Sequence, residues 1–126
     1  MKYRLSILNR GVPIFALLAC IANSITAAPW VSGNPMTTGR TFHTTSLLPD
    51  GKLLAVGGQN GSVSVSSVEL YDFANGTWTT TAPMNPPRQW HTANLLQTGK
   101  LLVAGGYNQT NGTLSSAQLY NRATGT

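Results

Sequence analysis

Two residue types are scarce in this chain: of 126 residues, three are carboxylates and one is a cysteine. The cysteine, Cys20, sits in an apolar stretch near the N-terminus, so no disulfide can staple the chain beyond it. The carboxylates are Asp50, Glu69 and Asp72. Glycoside hydrolysis needs two carboxyl groups flanking the scissile bond. Asp50 instead stands in a Pro-Asp-Gly turn, and Glu69 and Asp72 share one short segment, where they read as solvent-facing. The two histidines, His43 and His91, have no nearby third ligand and make a poor metal site. Their equivalent placement in two similar stretches points to a structural slot. No G-x-S-x-G nucleophile motif occurs. Catalysis by this chain, and any cofactor, are not expected.

Basic residues are more numerous, and the formal net charge is +5. Much of it is local. Lys2, Arg4 and Arg10 form a basic start, Val12 to Ala22 (VPIFALLACIA) is an uncharged apolar run shorter than a membrane span, and ANSITAA follows with small and polar residues. This is the pattern of a secretory signal segment over 1–28, with cleavage after Ala28 favoured and Ser24 the alternative. Leu17-Leu18-Ala19-Cys20 also resembles a lipobox that would place a lipid anchor on Cys20; the bulky Leu18 speaks against it. Beyond residue 28, five cations face three anions without a basic cluster, so neither nucleic acid nor an acidic membrane surface is an expected partner. The expected location is secreted and extracellular, or periplasmic or cell-surface in a bacterium.

The chain repeats itself. KLLAVGG begins at Lys52 and KLLVAGG at Lys100. At an offset of 48, Trp30 meets Trp78, Met36 meets Met84, Arg40 meets Arg88, His43 meets His91, and Gly57-Gly58 meets Gly105-Gly106. One extra residue in the second loop shifts the offset to 49, so that Leu70-Tyr71 meets Leu119-Tyr120. Self-similarity at such a period marks stacked supersecondary units. Each unit reads as four short strands: FHTTSLL from Phe42, the apolar KLLAVGG, VELYD at 68–72 and the Thr-rich GTWTTTAP before Pro83. Pro49-Asp50-Gly51 and Asn75-Gly76 supply turns. No stretch past residue 28 keeps a helical period, so the expected class is all-β.

The pattern R-x-x-H-T…L-L-P-D-G-K-L-L-A-V-G-G…V-E-L-Y-D…G-T-W, from Arg40 to Trp78, resembles the kelch repeat of β-propellers, in the bacterial-type and galactose-oxidase-like style. It recurs more loosely from Arg88 to Thr126, with Gln97-Thr98 in place of Pro-Asp. The resemblance implies four-stranded antiparallel blades that close in a ring around a channel. It also implies that Tyr71 and Trp78 fill the gap between adjacent blades, Tyr120 being the counterpart of Tyr71 in the repeat. The paired glycines lie where the chain leaves the sheet, and a valine at either would clash. The expected organisation is a signal segment at 1–28, a strand within 29–39 that completes a blade, a first repeat at 40–87, and a second at 88–126 lacking its last strand. About two blades leave a ring incomplete. A part of a longer propeller, a ring of several copies, and a two-blade sandwich are all open.

Two loops follow the Gly-Gly pairs, and loops on a rigid scaffold commonly carry recognition. Gln59 and Asn60 in the first, and Tyr107, Asn108, Gln109 and Asn111 in the second, are the candidate contacts with a protein or glycan. Asn60, Asn75, Asn108 and Asn111 head N-x-S/T sequons and are possible glycan acceptors. Two other functions remain open: a fragment of a galactose-oxidase-like carbohydrate oxidase, whose Tyr–Cys crosslink has no cysteine partner past Cys20, and an oligomeric ring-former built of short chains.

Overall fold

The computed structural model describes residues 30–126. The expected signal segment, Cys20 and the residues around both cleavage sites lie outside them. Four strands make the first sheet: β1 (Thr44–Leu47), β2 (Leu53–Val56), and, after a short hairpin of β3 (Gln59–Asn60) with β4 (Val63–Ser64), β5 (Val68–Asp72) and β6 (Thr77–Thr81). All neighbours are antiparallel in the order β1-β2-β5-β6. The second unit repeats this with β7 (Thr92–Leu95), β8 (Leu101–Ala104), the hairpin β9 (Tyr107–Asn108) with β10 (Gly112–Thr113), and β11 (Ala117–Tyr120), giving a three-stranded sheet β7-β8-β11. The described residues are all-β, in antiparallel sheets of two to four strands that close no ring.

The elements recur 48 residues apart through β3 and β9 and 49 apart from β4 and β10 onward. The extra residue of the second unit therefore lies inside its short hairpin. Neither hairpin was expected as a separate element, although Asn60-Gly61 and Asn111-Gly112 are hairpin signals. Gly61, in the two-residue turn of the first hairpin, takes φ of +58°, and Gly112, which opens β10 after the three-residue loop of the second, takes +71°.

Register explains how the blades stack. Leu54 stands opposite Leu70, and Val56 opposite Val68, so these four share one face of blade 1. In blade 2, Leu101 stands opposite Tyr120 and Val103 opposite Gln118. That face packs on the first one, and Leu54, Val56, Val68, Leu70, Leu101, Val103 and Tyr120 form a single buried core with Leu48 and Met84. Met84 sits on the connection between blades, where its N–H donates to Ser66 O at 2.8 Å. As a face-to-face pair, the blades exclude water from surfaces that neither could cover alone. Tyr120 fills this gap. Tyr71 and Trp78 face the other way, half-buried and in contact at 4.9 Å between ring centroids, because among the described residues no blade lies on that side.

Among the described residues no strand is formed from 30 to 39. Trp30 and Val31 are exposed. Residues 33–126 form one compact unit, and in it the first residues are tied to blade 1 by scattered bonds. Asn34 Nδ2 donates to Gly76 O at 2.7 Å and Trp78 Nε1 to Asn34 O at 3.2 Å. Strand β11 likewise has one neighbour, β8, where its counterpart β5 has two.

Candidate functional site

The candidate site is the end of the blades where the Gly-Gly pairs leave β2 and β8. Gly58 has φ +99°, and a Cβ there would lie 2.5 Å from Thr41 O and 2.9 Å from His43 Cβ; at Gly106, φ +95°, it would lie 2.6 Å from Gln89 O. Gly57 is closed off by the next blade, with Arg88 O and the Met84 methyl both 2.6 Å from a Cβ. No side chain fits at these distances. The freed backbone bonds across the blades: Gly58 N–H donates to Arg88 O at 2.8 Å, and Trp90 N–H to Phe42 O at 3.2 Å.

The repeated arginines and histidines line the base of this end. The Arg40 side chain is buried and donates to Gly57 O at 2.9 Å, to Ser67 O and Oγ at 2.8 Å, and to the Glu69 carboxylate. Glu69 is 1 % exposed, which corrects the reading of it as solvent-facing. Burial pushes its pKa up, but the Thr37 and Thr38 amides, at 2.7 and 3.1 Å, and the Arg40 guanidinium outweigh that and hold it below the usual carboxylate range. Asp50 and Asp72 pair at the surface with Arg122 at 2.7 Å and Lys52 at 2.8 Å.

Arg88 is fully buried and donates to Gly105 O at 2.9 Å and to Ser116 O and Oγ at 2.8 and 3.0 Å, but it has no carboxylate partner. Burial pushes its pKa down. His91 is buried, with Nε2 2.8 Å from Thr44 Oγ1 of the other blade. Burial first, and the Arg88 charge second, push its pKa down to about 4. His43 is half-buried, and burial with the Arg40 charge lowers its pKa too. The histidine of blade 2 thus serves as a neutral interblade hydrogen-bonding group. Among the described residues no three His, Cys, Asp or Glu side chains gather.

Above this base lie residues that the sequence reading passed over. Phe42 and Trp90, 48 residues apart, are exposed and both adopt the left-handed backbone, with φ of +55° and +56°. Such φ in bulky residues is unusual and stores strain. Their rings meet at 5.3 Å between centroids, and Trp90 meets Tyr107 at 5.8 Å. The three form an aromatic row crossing both blades. The signal for it was the shared offset of Phe42 and Trp90, hidden because the letters differ and because Phe42 reads as the start of a strand that begins at Thr44.

The candidate loop residues divide between surface and scaffold. Asn60 and Asn111 are exposed at their hairpin turns, as is the sequon residue Asn75. Gln59 Nε2 donates to Gly61 O at 2.7 Å. Gln109 is exposed, yet its Oε1 accepts Ser64 N–H at 3.0 Å and joins the two hairpins. Asn108 is buried: its Nδ2 donates to Pro87 O at 2.9 Å, and its Oδ1 accepts the Thr110 and Asn111 amides at 3.0 and 2.7 Å. Its nitrogen is therefore committed within the fold.

These observations define a repeat protein whose loop ends converge on one side of stacked blades. Residues 40–85 match the family model described as the Kelch motif. The matched residues span the first unit, which the second follows strand for strand through β11. Kelch repeats are in general protein-interaction modules and typically non-catalytic. No curated protein matches the chain. Among the described residues no helix is long and apolar enough to cross a membrane.

Proposed function

We propose that the chain is a secreted, non-enzymatic interaction module whose loop end contacts a protein or glycan. The observation that carries this reading is the aromatic row of Phe42, Trp90 and Tyr107. It is partly exposed, is rooted in strained backbone at Phe42 and Trp90, and is flanked by the two short hairpins. Exposed aromatic surface on a rigid frame supplies contact area at little conformational cost, and both sugar rings and apolar side chains stack on it. The non-enzymatic reading is supported by the use of the few reactive groups in structure, since Glu69, Asp50, Asp72 and His91 each hold a partner within the fold. Export is supported by the sequence of residues 1–28, and Asn60, Asn75 and Asn111 are the sequons open to modification.

The test is a screen of the full chain against a glycan array and a panel of displayed extracellular proteins, repeated with Trp90→Ala and Tyr107→Ala. Loss of affinity by about tenfold or more, the scale of a hot-spot aromatic, with an unchanged circular dichroism spectrum, is the expected result. Ligands held equally well by both variants would contradict the assignment.

A further inference from the structure

Charge is segregated along the blades. Asp50 and Lys52 stand around the turn from β1 to β2, Asp72 ends β5, Lys100 precedes β8 and Arg122 follows β11, all at the end of the sheets remote from the glycine pairs. The other charged side chains among the described residues, Arg40, Glu69 and Arg88, are buried. What the loop end turns to solvent is aromatic carbon, carboxamides and hydroxyls. Phe42 and Trp90 are 53 % and 58 % exposed, and Asn60, Ser62, Gln109, Thr110 and Asn111 are exposed on the two hairpins. Phe42 stays open although Trp90 of blade 2 is packed against it, so the matching exposure of Trp90 belongs to this position of the repeat.

This surface is held in place from below. Thr41 pairs with Gln59 and Gln89 with Tyr107, each pair through two backbone bonds of 2.8–3.0 Å, so Phe42 and Trp90 each follow a clamped residue. Trp90 N–H donates to Phe42 O at 3.2 Å, and Gln109 Oε1 accepts Ser64 N–H at 3.0 Å, which ties the row and the hairpins across the blades. Groups fixed in this way lose little freedom when a ligand arrives. The ring planes tilt by 59° from Phe42 to Trp90 and by 42° from Trp90 to Tyr107. The row is therefore a turning platform and not a flat one.

Taking the loop end as the contact surface, as proposed above, we infer that its ligand is a soluble, uncharged glycan chain, with one sugar ring packed on Trp90 and its neighbours toward Phe42 and Tyr107. A pyranose ring has an apolar C–H face, which an exposed indole covers, and a rim of hydroxyls that both donate and accept. Carboxamides match such a rim because each carries donors and an acceptor. Asn60 and Asn111 offer both, and Gln109, its Oε1 committed to Ser64, offers its Nε2 donors. A polyanionic glycan calls for exposed cations, and a protein partner gains on-rate and register from complementary charge; the loop end supplies neither among the described residues. The tilt from ring to ring suits a chain whose sugars turn from one to the next, and not the flat face of a crystalline polysaccharide.

The test uses the full chain, produced in a host that adds no N-glycans, in affinity electrophoresis through soluble neutral polysaccharides (β-glucan, xylan, galactan and mannan) and through polygalacturonate, with a pull-down on crystalline cellulose. The wild type is expected to be retarded by at least one neutral polysaccharide, with a Kd that changes less than about twofold between low and high salt. Trp90→Ala should weaken that binding about tenfold or more, and Trp90→Phe should restore most of it. Tyr107→Ala takes the place of Trp90→Ala should the latter fail to fold by circular dichroism. Retention by polygalacturonate or crystalline cellulose alone, a steep salt dependence, or a neutral glycan held equally well by the alanine variants would overturn the inference. So would Trp90-dependent binding of a displayed extracellular protein with no neutral polysaccharide bound, a result that leaves the interaction role standing, whereas no ligand of either kind would overturn both.

Discussion

Blade 1 and blade 2 bury the same arginine in the same socket and neutralise it differently. Arg40 and Arg88 both reach the carbonyl of the first glycine and the serine after the hairpin, at 2.8–2.9 Å. Arg40 then meets Glu69, whose carboxylate is also held by the Thr37 and Thr38 amides. The positions equivalent to Thr37, Thr38 and Glu69 in blade 2 are Asn85, Pro86 and Gln118. Pro86 has no N–H to offer a carboxylate. Gln118 suits that change, since its Nε2 can donate, and does, to Asn85 O at 2.7 Å. Arg88 is left with backbone and hydroxyl acceptors only, and its Nε has no partner. A buried charge is retained in one case by an ion pair and in the other by fixed dipoles. The lesson is that the repeat preserves the cation, while its counter-group follows the neighbouring backbone donors.

The largest effect that would break this comparison is expected from Glu69→Gln. It leaves Arg40 buried without its anion, and removing one partner of a buried pair costs about 3–5 kcal/mol, read as a lower urea midpoint at unchanged m-value. A change under about 1 kcal/mol would mean that the dipoles suffice in blade 1 as well.

Next in size is the pH response of His91. Its folded pKa of about 4 lies below the ordinary value of 6.5, so folding favours the neutral ring. That stability is fully present above pH 6.5 and is lost as the pH falls toward 4, an order of about 3 kcal/mol. In urea titrations over that range, His91→Gln should flatten the pH dependence, whereas the half-buried His43 should contribute less. An unaltered slope in His91→Gln would contradict the buried neutral ring.

The glycine pairs sharpen the contrast at a smaller scale. Both Gly57 and Gly105 have positive φ, but only Gly57 is crowded by the following blade. Alanine at Gly57 should therefore cost about 2 kcal/mol more than alanine at Gly105, which bears the backbone strain alone; equal losses of melting temperature would contradict the packing. The smallest effect belongs to Gln118→Glu, expected within about 1 kcal/mol, because the new carboxylate gains Arg88 but strands Asn85 O and finds no N–H at residue 86.

Much of the fold was legible in the sequence because a repeat writes each buried position twice. The 48- and 49-residue offsets predicted the strand pairs, and the glycine doublets predicted close approach where Gly58 and Gly106 show it. The kelch resemblance is supported by the match over 40–85. What stayed hidden depended on contacts outside any one unit. Glu69 follows the period-2 alternation of a solvent-facing residue, but the segment from Thr37 to Arg40 folds over it. The aromatic row required knowing that Phe42 and Trp90 take a left-handed backbone, which bulky residues rarely do. Asn108 looked like a loop residue because only the hairpin geometry turns it inward.

The central claim is that the two repeats are one cooperative unit, joined through the face shared by β2 and β8. Hydrogen exchange in Leu101→Ala tests it directly, since Leu101 belongs to blade 2 but is fully buried in the common core. Its truncation should cost about 2–5 kcal/mol, and the amides of β2 in blade 1 should lose protection together with those of β8. Retained protection in β2 beside a loosened β8 would contradict the shared core.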